Sequence, residues 1–446
     1  MKKAACLIFL VSQVIVIISF WAWNHIHNPM GNVLTGESAG QLLAYGRLAG
    51  LLATFAILIQ IILAGRVKWV ETVFGLDRLF HMHAIIGFSF LIFLFAHPIL
   101  VTAGHALQAD TSQKEQFIDF LRNWEGVFAA TIGAAIMVAA VGLSVPYMRR
   151  KMKYETWYYT HLSFYVAIAL AFGHQLEVGS DFTDNRWFAG YWYALYIFVF
   201  ANLLYYSLIR PIWFFLRHRF FVSKVVAESD DVTSVYIEGK KMESFKVDAG
   251  QFMIVRFWGR GVRWQAHPFS MSCFPDGKKI RLTIKRLGDF TEKIPELKPG
   301  TPVVIDGPHG IFNASRCGAS KVLMLAGGIG ITPIRSIAEE LVAKKHDVVI
   351  LYANRDEKSI VFRKELDDLA ASSAGHLRVI HVVSNDPGWN GEKGRIDNEK
   401  ITRIVPDVLE RKVYLCGPPP MMKSTRKILA KIGVPKSHIF YEKFAL

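Results

Sequence analysis

Four histidines occur as two pairs with similar spacings, each pair inside one long apolar stretch. His83 and His97 are 14 residues apart in one stretch, and His161 and His174 are 13 residues apart in another. In a helix these separations correspond to rises of about 21 and 20 Å. Ionisable side chains are costly inside a membrane, so each is expected to have a function there. Neutral imidazole is an axial ligand of haem iron, and the two levels of paired histidines predict two stacked b-type haems.

Other interpretations of these histidines remain open. They could hydrogen-bond between helices or bind a quinone. His81 competes with His83 as the inner ligand, and His83 is preferred because its spacing to His97 fits the pattern. A helix turns by about 100° per residue, so 13 residues do not return to the same face. The stretch with His161 is therefore expected either to be distorted near Gly173 or to meet its haems from different sides.

Composition separates an apolar N-terminal part from an ordinary globular remainder. The chain has 446 residues, of which 52% are hydrophobic and 20% charged, a profile that excludes a disordered protein. A membrane span needs about 20 apolar residues. Six stretches qualify: 4–23, 41–64, 81–104, 124–147, 157–177 and 188–209. The first is interpreted as an anchor and not a signal peptide, since no small-residue cleavage site follows it.

Basic residues in the loops predict the orientation. Twelve lysines and arginines lie on the side of the N-terminus and three on the other side. The positive-inside rule then places the N-terminus and everything after residue 210 in the cytoplasm, with the spans in a bacterial inner (plasma) membrane. Topology thus explains much of the net charge of +15, and no nucleic-acid partner is expected. The four cysteines contain no C-x-x-C pair, which argues against iron–sulfur and thiolate zinc sites.

After residue 220 the pattern changes to short β-rich stretches, typical of an antiparallel barrel. They include HPFSMSC at 267–273, TIKRLGDFT at 283–291 and DGPHG at 306–310. From Ser320 onward, a strand runs into GGIGITP at 327–333, then a helix and another strand, and VYLCGPPPMM follows at 413–422. Strand, glycine turn, helix and strand form a nucleotide-binding βαβ unit. The predicted fold is a six-helix transmembrane bundle (1–210), an antiparallel β-barrel FAD-binding domain (219–318) and an α/β parallel-sheet NAD(P)-binding domain (319–446).

The order HPFS, GPHG, GGIGITP and CGPPPMM resembles the ferredoxin–NADP reductase family. With the histidine pairs in front, nearly the whole chain resembles the ferric reductase and NADPH oxidase superfamily. The resemblance implies an oxidoreductase in which electrons pass from NAD(P)H to FAD, to an inner haem at His83 and His161, and to an outer haem at His97 and His174.

The resemblance also implies roles for residues of the FAD site. Phe269 would lie against the isoalloxazine ring, Ser270 would hydrogen-bond near flavin N5, and His267 with Pro268 would frame the site. Lys285 would contact the FAD pyrophosphate, with Thr291 as a further phosphate contact. The alternative for Lys285 is a solvated strand lysine.

At the nicotinamide-nucleotide site the resemblance implies a second set of residues. The turn would be formed by Gly327, Gly328, Gly330, Thr332 and Pro333. Cys416, followed by Gly417 and Pro418, would lie beside the nicotinamide, although free cysteines are more often simply buried. Glu442 and Phe444 resemble the closing acid and the aromatic that covers the flavin.

Three further positions concern the choice between NADPH and NADH and the surroundings of the haems. Arg355 follows the second strand of the nucleotide unit, where a cation favours the 2′-phosphate of NADPH, but the adjacent Asp356 leaves NADH open. Arg47 is expected at a haem propionate, with snorkelling to headgroups as the alternative. Ala167 stands where the oxidases of the superfamily often have an aromatic residue between the haems, so another ring would have to substitute or the inter-haem step would differ.

Three hypotheses for the function of the membrane part remain. The first is a transmembrane reductase that delivers electrons to oxygen, giving superoxide, or to a ferric chelate. The second is a haem scaffold that passes electrons to a periplasmic protein partner. The third is a plain anchor without haem that holds a flavin reductase at the membrane.

Overall fold

The computed structural model describes residues 2–26, 37–177, 180–259, 261–263 and 265–442. Its contacts divide the chain into two compact units. One comprises Met1–Val73 and Arg78–Leu204, and the other comprises Phe74–Asp77 and Tyr205–Leu446.

The first unit is helical. Its helices are α1 (Lys2–Ile26), α2 (Ser38–Ala64), α3 (Lys68–Phe74), α4 (Leu76–Ala109), α5 (Gln113–Asn123), α6 (Val127–Ser144), α7 (Pro146–Arg149), α8 (Tyr154–Glu177), α9 (Ser180–Thr183) and α10 (Arg186–Leu204). Large apolar side chains of α1, α2, α4 and α10 form its core, including Ile17, Leu58, Phe90 and Trp192.

Among the described residues, five helices are long and apolar enough to cross a membrane. They are α1, α2, α4, α6 and the segment Arg186–His218, which begins with α10. The sequence predicts six spans, and α8 is the one without this character. Its first third, YETWYYTH, is polar and aromatic, which lowers its hydropathy although its 24 residues are long enough. The helix continues without interruption through Gly173, so the distortion considered there is not observed.

Glycines bring α2 and α4 close together. A Cβ added to Gly46 would lie 2.8 Å from Cγ2 of Val101, and one added to Gly104 would lie 2.7 Å from Leu43. Contacts this short leave no room for a side chain at these two positions, as in other closely packed membrane helices. This approach brings the α2 backbone alongside the part of α4 that carries His97.

The second unit begins with a π-helical turn (Tyr205–Ile209) and α11 (Arg210–His218), followed by two three-stranded antiparallel sheets. One has the order β1-β2-β5 and the other β4-β3-β6. The elements are β1 (Phe221–Ser229), β2 (Val232–Glu238), β3 (Phe252–Phe257), β4 (His267–Ser270), β5 (Ile280–Lys285), α12 (Asp289–Glu292) and β6 (Val303–His309). Isolated pairings between Met271 and Leu282, and between Phe221 and Pro302, link the two sheets. The antiparallel sheet domain is confirmed.

A six-stranded sheet with the order β10-β9-β8-β7-β11-β12 follows, and its strand pairs are parallel. Its elements are β7 (Lys321–Gly327), α13 (Ile331–Ala343), β8 (Asp347–Asn354), α14 (Arg363–Ser372), β9 (Leu377–Val383), β10 (Glu392–Lys393), α15 (Asn398–Ile404), β11 (Lys412–Cys416), α16 (Pro419–Ile432) and β12 (Ile439–Glu442). This confirms the predicted parallel-sheet domain. The chain reverses its direction of winding between β7 and β11, where open α/β sheets bind ligands at the carboxyl ends of their strands.

Candidate functional site

The rings of His97 and His174 form the outer histidine pair. Their centroids lie 6.2 Å apart, and Nδ1 of His97 lies 2.9 Å from the carbonyl oxygen of Gly46. A carbonyl only accepts hydrogen bonds, so Nδ1 must carry the proton and donate. The lone pair of His97 is then on Nε2, the tautomer and orientation that a metal ligand needs.

His83 and His161 form the inner pair, with ring centroids 5.9 Å apart. Nδ1 of His83 lies 3.3 Å from the carbonyl of Gln60, whose side-chain amide donates to the carbonyl of His83 at 2.8 Å. Nδ1 of His161 lies 3.2 Å from the hydroxyl of Ser144, and the Trp157 ring stacks on His161 at 5.4 Å. In the inner pair, residues of neighbouring helices thus lie at Nδ1 of both rings, as Gly46 does at Nδ1 of His97.

Both pairs fit one metal between two rings. A metal–imidazole bond is about 2 Å long, so imidazoles on opposite sides of one ion have centroids roughly 6 Å apart. Each of the four predicted ligands is thus brought to its predicted partner. Neutral nitrogen ligands in pairs suit haem iron, which takes its other four ligands from the porphyrin.

A cavity of about 250 Å³ adjoins the outer pair. Arg47 lines it, as do His105, Thr131 and the ring of Phe90. Ala167 is fully buried, and a Cβ on Gly133 of α6 would lie 2.7 Å from its carbonyl oxygen. The close approach of α6 to the α8 backbone at this level explains why glycine occupies position 133.

The HPFS segment is strand β4, which pairs with β3 through Val255↔His267, Ile254↔Pro268 and Met253↔Phe269. The rings of His267 and Phe269 both pack near Phe290, with centroids at 4.1 and 6.2 Å. Ser270 is buried, and its hydroxyl has no hydrogen-bond partner among the described residues. A buried hydroxyl without a partner is costly, and a ligand at this strand would satisfy it.

Two residues implied as phosphate contacts have other partners. Nζ of Lys285 lies 3.2 Å from Asp231. The hydroxyl of Thr291 accepts hydrogen bonds from the backbone amides of Leu287 at 2.8 Å and Gly288 at 3.0 Å. Thr291 therefore stabilises its own turn in this structure, whereas Lys285 remains partly exposed.

The glycine turn borders a cavity of about 510 Å³ at the carboxyl ends of β7 and β8. Gly328 has φ +50°, a conformation that favours glycine. A Cβ on Gly330 would lie 2.5 Å from the carbonyl oxygen of Cys416, and one on Gly327 would collide with Sδ of Met421. Thr332 and Pro333 are buried in the first turn of α13, and the Thr332 hydroxyl donates to the carbonyl of Ile329 at 3.1 Å.

Polar residues that the sequence did not single out also line this cavity. Arg395 joins Arg355 on its wall, together with Lys285 and Pro418. Asn354 and Thr425 are 7% and 1% exposed, and neither side chain has a hydrogen-bond partner among the described residues. Their separation in sequence from the glycine turn explains why no local motif revealed them.

Cys416 is fully buried on β11 and pairs in register with Ala326 of β7 and Glu442 of β12. Burial raises the pKa of its thiol well above the usual value, and the negative charge of Glu442 adds to this. The thiol is therefore neutral at physiological pH. A Cβ on the following Gly417 would lie 3.1 Å from Cα of Gly327. The absence of a side chain at Gly417 therefore lets the two loops come into contact. Phe444 lies outside the described residues.

Three family models match the chain in sequence order. A model for the ferric reductase like transmembrane component matches residues 49–172, an FAD-binding domain matches 218–311, and an oxidoreductase NAD-binding domain matches 324–427. The chain is a fusion of these three domains. This confirms the resemblance to the ferric reductase and NADPH oxidase superfamily, and it supports NAD(P)H-driven electron transfer by a membrane oxidoreductase.

The curated relatives match about half of the chain or less. The chain is 30% identical over 240 residues to the glycine betaine monooxygenase reductase subunit of Chromohalobacter salexigens, an alignment covering 51% of this chain and 64% of the relative. It is 34% identical over 160 residues to NADH-cytochrome b5 reductase 1 of Cryptococcus neoformans, covering 33% of this chain and 54% of the relative. The chain thus spans less than two thirds of the length of these relatives.

Among solved structures, the flavohem-like FAD/NAD binding domain of nitric oxide dioxygenase from Vibrio cholerae is similar to this chain. The sequence identity is 23%, the TM-score is 0.46, and the alignment covers 50% of this chain and 98% of that one.

Proposed function

We propose that this chain moves electrons from cytoplasmic NADPH, through FAD and two b-type haems, to an acceptor on the outer side of the membrane. His83 and His161 would hold the inner haem, and His97 and His174 the outer haem. The observation that carries the proposal is the pairing of the four imidazoles at centroid distances of 5.9 and 6.2 Å. The alternative of a haem-free anchor does not explain why histidines meet in pairs.

The cofactors supply the redox chemistry: flavin takes two electrons from the nicotinamide and passes them on singly, and haem iron carries one electron at a time. The protein positions them. Ser270 would offer its free hydroxyl to the flavin, and Phe269 would present its ring. Pro268 and His267 would fix the strand beneath it, and Lys285 would exchange Asp231 for the FAD pyrophosphate.

The membrane arrangement is part of the proposal. We count α8 as a sixth span, because it packs along α6 and carries two of the four histidines. With six crossings, the N-terminus and the FAD- and NAD(P)-binding domains would lie on the cytoplasmic side of a bacterial inner membrane. Arg47, which lines the outer cavity, would pair with a propionate of the outer haem.

NADPH is the favoured donor because two guanidinium groups, of Arg355 and Arg395, line the nucleotide cavity. Each can pair with a 2′-phosphate, which NADH lacks. The carboxylate of Asp356 accepts from the amide of Ser359 at 2.9 Å and caps a short helical turn.

Because residue 167 is alanine, an aromatic side chain from another position would lie between the haems. Phe90 occupies the position midway between His83 and His97 on α4, and it is 2% exposed. Its burial at that level makes it our candidate for the aromatic side chain that the oxidases have elsewhere.

Oxygen or a ferric chelate is the proposed acceptor, and a periplasmic protein partner is the alternative. The test is anaerobic reduction of the purified chain with NADPH, followed by addition of air or of ferric citrate. Fast reoxidation of the haem bands with superoxide release assigns oxygen, and fast reoxidation by ferric citrate alone assigns the chelate. Slow reoxidation by both would overturn the small-molecule proposal in favour of a protein acceptor.

A further inference from the structure

A cluster of charged residues around the buried Arg281 joins the strand that follows HPFS to the helices of the parallel-sheet domain. Arg281 on β5 is 3% exposed and donates to both carboxylate oxygens of Glu365 on α14, at 2.8 and 3.0 Å. Arg335 on α13 reaches the same carboxylate at 2.8 Å. One carboxylate thus binds two guanidinium groups, one from the antiparallel-sheet domain and one from the parallel-sheet domain.

The same arginines bind the backbone immediately after the flavin strand. The carbonyl oxygen of Ser272 accepts from Arg281 at 2.6 Å and from Arg335 at 2.9 Å. The hydroxyl of Ser336 donates to the carbonyl of Cys273 at 2.6 Å. Ser272 is two residues beyond Ser270, so these contacts hold the segment that leads directly out of the candidate flavin site.

On the other side, the cluster is attached to the nucleotide turn. Helix α13 begins at Ile331, directly after the Gly328–Gly330 turn, and Arg335 lies one helical turn further along. Glu339, another turn on, accepts from Arg335 at 2.9 Å and from the amide of Phe274 at 3.0 Å. Helix α13, which follows the nucleotide turn, is therefore bound at three points to the segment 272–274, directly after the strand that carries Ser270.

Backbone strain marks the same place. Phe362 has φ +61°, which is unfavourable for a bulky residue. Its ring lies under both guanidinium groups, 4.4 Å from Cζ of Arg281 and 5.6 Å from Cζ of Arg335. The ring covers the charged cluster from one side.

We propose that Arg281, Arg335 and Glu365 are positioning residues that set the distance between the nicotinamide and the flavin. None of the three is among the residues that line the nucleotide cavity, and they would act by fixing α13 against the segment after β4. Hydride transfer requires the two rings in near-attack geometry, and a misplacement of about 1 Å can cost about 100-fold in rate. This inference rests on the FAD and NAD(P) part of the proposed function and does not depend on the haems.

The test uses Glu365→Gln in the full-length protein, with anaerobic stopped-flow absorbance of the flavin after mixing with NADPH. The expected result is a limiting rate of flavin reduction lowered at least tenfold, with unchanged FAD content, an NADPH dissociation constant within about twofold, and a weaker long-wavelength charge-transfer band. Ser336→Ala, which removes one neutral hydrogen bond, should give a smaller decrease with the same signature. The matched control is Glu410→Gln, which removes one of the two carboxylates that contact Lys321 at the amino-terminal end of β7, and it should behave as wild type.

Two results would overturn the inference. One is an unchanged limiting rate in Glu365→Gln. The other is a loss of rate that merely follows loss of FAD or a weaker NADPH affinity, since that would make the cluster a structural element. Because only the flavin is monitored, failure of the haem assignment would not alter these outcomes.

Discussion

The imidazole of His97 on α4 lies directly against Gly50 of α2. A Cβ added to Gly50 would lie 2.7 Å from Nδ1 and 3.0 Å from Cε1 of the ring. Gly46, one turn earlier, accepts the hydrogen bond from the same Nδ1. The glycine face of α2 thus both admits the ring and fixes its tautomer.

This relationship predicts that Gly50→Ala disturbs the outer haem site selectively. The added methyl group cannot fit beside His97, so the ring must move and its hydrogen bond to Gly46 must lengthen. We expect loss of the outer haem or a shift of its midpoint potential, measured by redox titration of the haem bands. Gly190→Ala on α10 is the control, since nothing lies within 4 Å of its added Cβ, and an equal effect of both substitutions would contradict the prediction.

His97→Ala should remove one of two haems. The haem-to-flavin ratio, measured by pyridine haemochromogen and flavin fluorescence, is expected to fall by about half because one axial ligand is lost. Flavin-dependent dye reduction should persist. His81→Ala is the control, since His81 is exposed and our assignment gives it no haem. Retention of both haems in His97→Ala would refute the ligand assignment.

Arg355→Ala should change donor preference. Loss of one guanidinium at the nucleotide cavity is expected to raise KM for NADPH about tenfold or more. This corresponds to a loss of about 1.4 kcal/mol or more of binding free energy. KM for NADH should stay within about twofold, because NADH has no 2′-phosphate. Lys358→Ala, an exposed change in the same loop, is the control. Equal losses with both donors would show that Arg355 does not discriminate between them.

Asp407→Asn should destabilise the parallel-sheet domain in a pH-dependent way. The hydrogen bond from Arg411, at 2.8 Å, together with Lys321, lowers the pKa of Asp407 to about 2. A lowered carboxyl pKa stabilises the fold above the unfolded value of about 3.9, and this contribution is lost as the pH falls through about 2.

At pH 7 we therefore expect a lower thermal midpoint for Asp407→Asn. Loss of a charged hydrogen bond is worth about 1–3 kcal/mol, and each kcal/mol shifts the midpoint by about 2–4 °C in a domain of this size. The difference from wild type should shrink between pH 4 and pH 2. Glu392→Gln, which removes the partner of the exposed Arg403, should have little effect at any pH. A difference that stayed constant down to pH 2 would argue against the ion pair as its cause.

The sequence predicted those features that depend on regular geometry. The histidine pairs could be predicted because helical rise converts their spacing directly into depth, and both pairs meet in the structure. The glycine turn could be predicted because strand, turn and helix are consecutive in the chain. The parallel sheet followed from the same local pattern.

What the sequence could not predict depends on distant or very local contacts. Arg281 and Glu365 are 84 residues apart, and no pattern in either segment indicates their pairing. Thr291 was expected at a phosphate, but its hydroxyl binds amides three and four residues back, a competition typical of threonine in short turns. The polar start of α8 lowers its hydropathy, and only five other helices have the length and apolar character of a span among the described residues. The sixth span therefore stays a prediction.

The most direct measurement of the central claim is stopped-flow mixing of the anaerobic, purified chain with NADPH, while flavin and b-haem absorbance are recorded together. We predict bleaching of the flavin followed by reduction of two haems, and in His83→Ala bleaching of the flavin without reduction of the remaining haem. A purified chain with flavin but no b-haem absorption, or haems that stay ferric while the flavin is reduced, would contradict the proposed electron path.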